Sequence, residues 1–382
     1  MRNWKKRGMS LLLAVVMMLT LGACSVQSQS DTTDQISFAS LKKTGELTLS
    51  YATQFQVDYY DPYTLITIEK EGRYLLVPEK EAEPKDLPED IVVLKQPLNK
   101  TYLVSTSVMD FMRQLDVMSY IRLSGSKEKD WYIKAAQEAM KRGDILYAGK
   151  YSAPDYECIL QEGCNLAIEN TMIYHTPEVK EKLQELGIPV LVEKASYESH
   201  PLGRLEWMKL YGVLYDALDT AEAYFKSEEE KIMPLLEQEN TGKKVAFFSV
   251  NSAGAINVRK PNDYIAQMIG MAGGNYALND VIPEEENALS TMNMQMEDFY
   301  NAAQSADILI YNSAIEGEIT SIDDLLRKNG LFSDFSAVKE KNVYCTSKNF
   351  FQESTGMAEF VEDMHAVMIG EEDHLTYLKK LN

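Results

Sequence analysis

His200-Pro-Leu-Gly-Arg-Leu-Glu-Trp-Met-Lys-Leu-Tyr-Gly-Val-Leu-Tyr-Asp-Ala-Leu-Asp-Thr-Ala-Glu-Ala-Tyr-Phe-Lys-Ser-Glu-Glu-Glu-Lys231 is the least ordinary stretch of the chain. Apolar residues recur at Leu205, Met208, Tyr211, Leu214, Tyr215, Leu218, Ala221 and Phe225, close to the helical period. Beyond Gly203 the stretch holds no proline and a single glycine, Gly212, while Pro201 suits a first-turn position. A helix of about 30 residues would reach ~45 Å, the length of a whole domain. The expectation is one spine helix, within residues 201–238, that joins two lobes.

On either side the pattern alternates. Before the spine, strands are expected at Thr101, Ser119–Leu123, Ile145–Tyr147, Leu166 and Pro189–Val192, with helices of about ten residues between them. After it the alternation restarts, with strands at Lys244–Val250, Asp307–Tyr311 and Asn342–Thr346, and helices at Asp263, Met296, Ile322 and Glu353. Such alternation builds mostly parallel sheets covered on both faces, whose ligands gather at the carboxyl ends of the strands. Residues 41–200 form the expected amino-terminal α/β lobe and 239–382 the carboxy-terminal one. Within the first, Tyr63–Glu69 and Tyr74–Val77 flank Glu71-Gly72 as a hairpin.

Arg2, Lys5, Lys6 and Arg7 precede an apolar run from Ser10 to Leu19, and Leu21-Gly22-Ala23 stands directly before Cys24. A basic, apolar, small-residue order is that of a secretory signal, so residues 1–23 are excluded from the fold. The run falls short of the ~20 residues that a membrane span needs. Leu21-Gly-Ala-Cys24 resembles the lipobox of bacterial lipoproteins. That resemblance implies a signal peptide cleaved before Cys24, which carries the lipid and anchors the protein outside the cell membrane. Residues 24–40 are polar and aperiodic, as in a flexible tether.

The leader contains four of the 38 Lys and Arg and no Asp or Glu, so 34 basic and 58 acidic residues remain, a net charge near −24. An acidic body of this kind disfavours nucleic acid and anionic membrane surfaces as partners. Cys158, Cys164 and Cys345 have neither a disulfide-framework spacing nor a zinc pattern. His175, His200, His365 and His374 are scattered singly, so no metal site and no bound cofactor are expected. Nor is there a phosphate-cradling glycine loop, a Gly-x-Ser-x-Gly elbow or a paired-cysteine motif, which argues against an enzyme.

The stretches Tyr147-Ala-Gly-Lys-Tyr-Ser-Ala-Pro-Asp-Tyr-Glu157, Glu198-Ser-His-Pro-Leu-Gly-Arg-Leu-Glu-Trp207, Met271-Ala-Gly-Gly-Asn-Tyr276 and Ala306-Asp-Ile-Leu-Ile-Tyr311, in this order, carry a family resemblance. With the matching order of elements across residues 90–370, the chain resembles the class III solute-binding proteins of ABC importers, which serve iron-siderophores, haem and cobalamin. The resemblance implies two α/β lobes joined by one interlobe helix, and a monomer that hands its chelate to a permease and its ATPase. Each lobe of that family docks on the permease through one acidic residue. By position these fall on Glu157, ahead of the strand at Leu166, and Glu297, ahead of the strand at Ile308.

For the ligand cleft, aromatic rings and a guanidinium suit a large, flat, partly anionic chelate. The candidates are Tyr60, Trp131, Tyr147 and Tyr151 in the first lobe and Arg259 and Tyr264 in the second. A ferric siderophore leads haem and cobalamin as the expected solute. Two other readings stay open on the same frame: a lipoprotein sensor or adhesin that has lost transport, and an enzyme.

Overall fold

The computed structural model of the protein describes residues 36–282 and 290–382. Cys24, the leader and most of the tether lie outside the described residues. The chain divides into two compact units. In the smaller, described at 36–41 and 82–87, Ser37 bridges to Lys85 and the Phe38 amide donates to the Lys85 carbonyl (2.8 Å). Residues 36–40, expected as the end of the tether, therefore take part in backbone pairing. Everything else, residues 42–81 and 88–382, forms the larger unit.

The larger unit opens with a five-stranded sheet: β1 (Gly45–Glu46), β2 (Phe55–Tyr60), β3 (Tyr63–Ile68), β4 (Gly72–Val77) and β5 (Ile91–Lys95), in that order. The β3–β4 hairpin forms where it was expected, turning through Lys70 in the left-handed region. Phe55 and Val57 are buried while Gln56 between them is exposed, the period-two pattern of a sheet with one covered face.

The amino-terminal lobe follows as alternating strands and helices: β6 (Thr101–Leu103), α1 (Thr106–Gln114), β7 (Ile121–Ser124), α2 (Lys134–Arg142), β8 (Leu146–Tyr147), a small hairpin β9 (Gly149–Lys150) and β10 (Ala153–Pro154), α3 (Tyr156–Gln161), β11 (Leu166–Asn170), α4 (Pro177–Glu185) and β12 (Val190–Glu193). Its sheet runs β12-β11-β6-β7-β8, parallel throughout. Gly149 makes the β9–β10 hairpin possible: a Cβ there would sit 2.3 Å from the Ala153 carbonyl oxygen, and its φ is +84°.

The expected single spine is two helices, α5 (Pro201–Leu214) and α6 (Leu218–Leu236), which pack on each other. The break falls at Tyr215-Asp216-Ala217, where Asp216 takes φ +56°. Asp is among the few residues that enter this region without glycine, so the sequence shows no stop signal. Gly212 permits the reversal, because an added Cβ would lie 2.9 Å from the Leu218 Cα. The Tyr215 hydroxyl is hydrogen-bonded to Thr101 Oγ1 (2.9 Å), which ties the turn to β6.

Every residue of α5 except Arg204 is buried. A helix apolar on most sides belongs in a core, and α5 packs against α1 of the first lobe and against helices of the second. Of its charged members, Glu206 and Lys209 are paired with each other, while the buried Nε of Arg204 has no hydrogen-bond partner among the described residues. Glu206 accepts the amides of Ser50 (2.9 Å), Tyr51 (2.8 Å) and Ala52 (2.8 Å) and the Lys209 ammonium (2.7 Å). Just ahead, Glu198 accepts from the Thr53 and Gln54 amides and from Trp207 Nε1 (3.0 Å). Two buried carboxylates thus fasten the β1–β2 loop onto the helix between the lobes.

The second lobe comprises β13 (Lys244–Val250), β14 (Ile256–Arg259), α7 (Tyr264–Met271), β15 (Asn275–Tyr276), β16 (Thr291–Met294), α8 (Met296–Ala303), β17 (Ile308–Tyr311), α9 (Ser313–Glu316), α10 (Ile322–Lys328), α11 (Ser336–Lys339), β18 (Val343–Thr346), α12 (Met357–Ile369) and β19 (Leu378–Lys380). The parallel centre β13-β17-β18 is as expected. Antiparallel flanks, β14 and β16 on one side and β19 on the other, extend it beyond the sequence reading.

Candidate functional site

The carboxyl ends of β7 and β18 lead into segments that face each other across the two lobes. In the first lobe Trp131 is almost wholly buried, and its Nε1 donates to Ser124 Oγ (3.3 Å) at the end of β7. That anchor leaves the next residue, Tyr132, 46% exposed. In the second lobe β18 runs into a short turn carrying Ser347, Lys348 and Asn349. Together these segments line a cleft of about 600 Å³, with Arg113, Lys134, Glu318, Glu353 and Lys379 completing its walls.

The lobes are bonded beside this cleft. The Tyr132 amide donates to Gln352 Oε1 (2.7 Å), and Gln352 Nε2 returns a bond to the Asp130 carbonyl (2.9 Å). Buried Asp110 on α1 reaches the second lobe at Thr355. Its other oxygen holds the Arg113 guanidinium (2.7 Å) at the cleft wall.

A buried polar cluster also joins the lobes. Two guanidiniums lie over the Tyr264 ring, that of Arg204 at 3.9 Å from its centroid and that of Arg259 at 5.1 Å. Arg259 pairs with Asp263 (3.8 Å) and donates to Ser290 Oγ (3.2 Å). Glu193, at the end of β12, accepts from Ser105 Oγ (3.3 Å) and the Ala195 amide (2.7 Å). Burial raises the carboxyls of Glu193 and Asp263 above their ordinary range, and the neighbouring arginines oppose that shift.

Of the six expected ligand residues, Arg259 and Tyr264 come together, and the other four do not join them. Trp131, Arg259 and Tyr264 are packed inside, which corrects their placement on the cleft surface. Trp131 serves as an anchor in the core, and Arg259 ends β14. Tyr60 ends β2, in the first sheet. Tyr151 is half-buried in the β9–β10 turn. Tyr147 is exposed at the end of β8, with the Lys127 ammonium over its ring at 5.4 Å. None of these three lines the cleft. The cations that do, Arg113, Lys134, Lys348 and Lys379, were missed. Only their position after strands expected to be parallel could have marked them.

Glu157 and Glu297 are each exposed in the first turn of a short helix, α3 and α8, directly before β11 and β17. The two lobes therefore repeat one arrangement. Asp155 caps α3 by accepting the Cys158 amide (3.0 Å). Cys158, Cys164 and Cys345 are free thiols. Among the described residues no three His, Cys, Asp or Glu side chains come together as a metal site, and no helix is long and apolar enough to cross a membrane.

A second groove, of about 580 Å³, lies between β2–β4 and the α5–α6 turn, lined by Tyr59, Thr64, Gly212, Asp216 and Leu218 among others. It touches neither β7 nor β18, and Pro78 and Gln96 in its lining directly follow the parallel strands β4 and β5.

No family model matches the chain. An uncharacterized lipoprotein of Methanocaldococcus jannaschii is 25% identical over 334 residues, covering 80% of this chain and 77% of its own length. The periplasmic haem-binding protein of Vibrio cholerae superposes with a TM-score of 0.57 at 15% identity, over 70% of this chain and 98% of that one. The ABC-type Fe3+-hydroxamate transport protein of Saccharomonospora viridis does so with a TM-score of 0.54 at 17% identity, over 70% and 92%. The chain therefore has the two-lobe α/β fold of the periplasmic solute-binding proteins of iron and haem transport.

Proposed function

We propose that this protein is the lipid-anchored, extracytoplasmic solute-binding component of an ABC importer. It captures a metal chelate in the cleft between its lobes, a ferric siderophore foremost and haem or cobalamin as the other members of the class. It then hands that chelate to a permease driven by its ATPase. The observation that carries this reading is the cleft itself: about 600 Å³, walled by both lobes, with Ser347, Lys348 and Asn349 directly after β18 and Tyr132 beside Trp131, which is bonded to Ser124 at the end of β7. Ligands of open α/β sheets gather at such ends, and the volume suits a chelate-sized solute. Tyr132 offers an exposed ring for stacking. Likeness of fold to iron- and haem-binding transport proteins supports the same reading, and the lipoprotein name of a relative supports an anchor on Cys24.

Transfer to the permease is assigned to Glu157 and Glu297. Exposed carboxylates at matching places on the two lobes steer a basic partner and fix its orientation more than they add affinity. Native mass spectrometry of the purified protein with ferric siderophores, haem and cobalamin tests the proposal. The expected result is a one-to-one adduct with at least one of them that forms without chemical change to the solute. Conversion of the solute would favour the enzyme reading instead.

A further inference from the structure

The charge of the cleft deepens this reading and rests on it. The chain has 58 acidic and 38 basic residues, yet the cleft reverses the balance. Arg113, Lys134, Lys348 and Lys379 stand against two carboxylates, Glu318 and Glu353. Lys348 and Lys379 share one counter-ion, with their ammonium groups 3.2 and 3.6 Å from Glu318. Both remain substantially open to solvent, at 42% and 59% side-chain exposure. Glu353 is already engaged by Asn349 Nδ2 (2.7 Å) and the Tyr377 hydroxyl (3.0 Å). Lys134 is exposed and has no ion pair among the described residues. Low-dielectric walls lined by one sign of charge focus the field and concentrate solutes of the opposite sign.

We infer that the solute presents an anionic face to Lys348 and Lys379. Its chelating groups are therefore of a class that keeps net negative charge once the metal is bound, catecholate or carboxylate, rather than the neutral hydroxamate class. An uncharged chelate leaves the Lys348–Glu318–Lys379 triad as it stands. An anionic one supplies the second negative charge that two ammonium groups on one carboxylate lack. Glu318 then acts as a specificity-determining residue, since it competes with the solute for both lysines.

Calorimetric titration of the purified protein with a trianionic ferric tris-catecholate and an uncharged ferric tris-hydroxamate, at low and high salt, tests this. The catecholate complex should bind at least about tenfold more tightly, and the ratio should shrink as salt rises. Lys348→Gln with Lys379→Gln should reduce that ratio by about tenfold. Glu318→Gln should tighten catecholate binding, a gain that a misfolded variant could not give. Equal affinities, a hydroxamate preference, or a ratio indifferent to all three substitutions would overturn the inference while leaving the solute-binding reading intact. Failure of both chelates, and of haem and cobalamin beside them, would overturn that reading and the inference with it.

Discussion

Thr355, ahead of the last long helix of the second lobe, donates both its amide (2.9 Å) and its hydroxyl (2.6 Å) to one oxygen of Asp110 in the first lobe. Asp110 is fully buried, and its second oxygen is occupied by Arg113. This bond links the interlobe contact directly to a cation on the cleft wall. Thr355→Val keeps the shape and removes the hydroxyl donor. Hydrogen bonds to charged groups contribute about 1.5–3 kcal/mol, so urea unfolding should show a loss of that size. An unchanged unfolding midpoint would remove the bond from the account.

The loop between β1 and β2 depends on Glu206. Three backbone amides and the Lys209 ammonium converge on this fully buried carboxylate. Glu206→Ala leaves those donors without their acceptor and should cost about 3–5 kcal/mol, as breaking a buried pair does. Hydrogen exchange should quicken at Ser50, Tyr51 and Ala52 before it does elsewhere.

Much of this architecture was legible in the sequence, and the exceptions have physical causes. Lys244–Val250 was bounded correctly and the helix at Met296 was placed correctly, because a continuous apolar run and a helical period are local signals that burial only reinforces. The break at Asp216 was not, since the apolar period continues through a left-handed turn made without glycine or proline. Strands β14, β16 and β19 are short, and Thr291–Met294 and Leu378–Lys380 are largely polar or half-exposed. Sheet edges provide their order, and periodicity does not show it.

The site was less legible than the fold. Trp131, Arg259 and Tyr264 have the chemistry of ligand contacts, yet the same large rings and planar guanidinium pack well, and each is buried. Lys348 and Lys379 look like solvated surface charges in an acidic chain. Only the folded arrangement brings them to one carboxylate.

Glu169 provides a pH-dependent prediction. It is wholly buried on β11, and neither carboxyl oxygen has a hydrogen-bond partner among the described residues. Burial pushes its pKa up to about 8 from an ordinary value near 4.5. The folded state therefore holds this proton where the unfolded chain releases it. The associated stability is complete below about pH 4.5 and is lost as pH rises towards 8. Glu169→Gln should remove that fall, so the variant gains stability over the wild type between pH 6 and about 8. Parallel pH profiles of thermal unfolding for the two proteins would contradict it.

Glu157 and Glu297 separate binding from transport. The double substitution Glu157→Ala, Glu297→Ala should abolish chelate uptake by cells while leaving the affinity of the purified protein within about twofold, because rim charges act on encounter and orientation. Normal uptake by the double variant would take these residues out of the docking surface.

Hydrogen exchange of the purified protein at saturating chelate, haem or cobalamin tests the central claim most directly, because it locates the solute as well as detecting it. Slowed exchange is predicted at residues 130–135 and 347–353, on the two facing walls of the cleft. Protection confined to the groove at Tyr59, Thr64 and Asp216, or no protection with any of these solutes, would contradict the account.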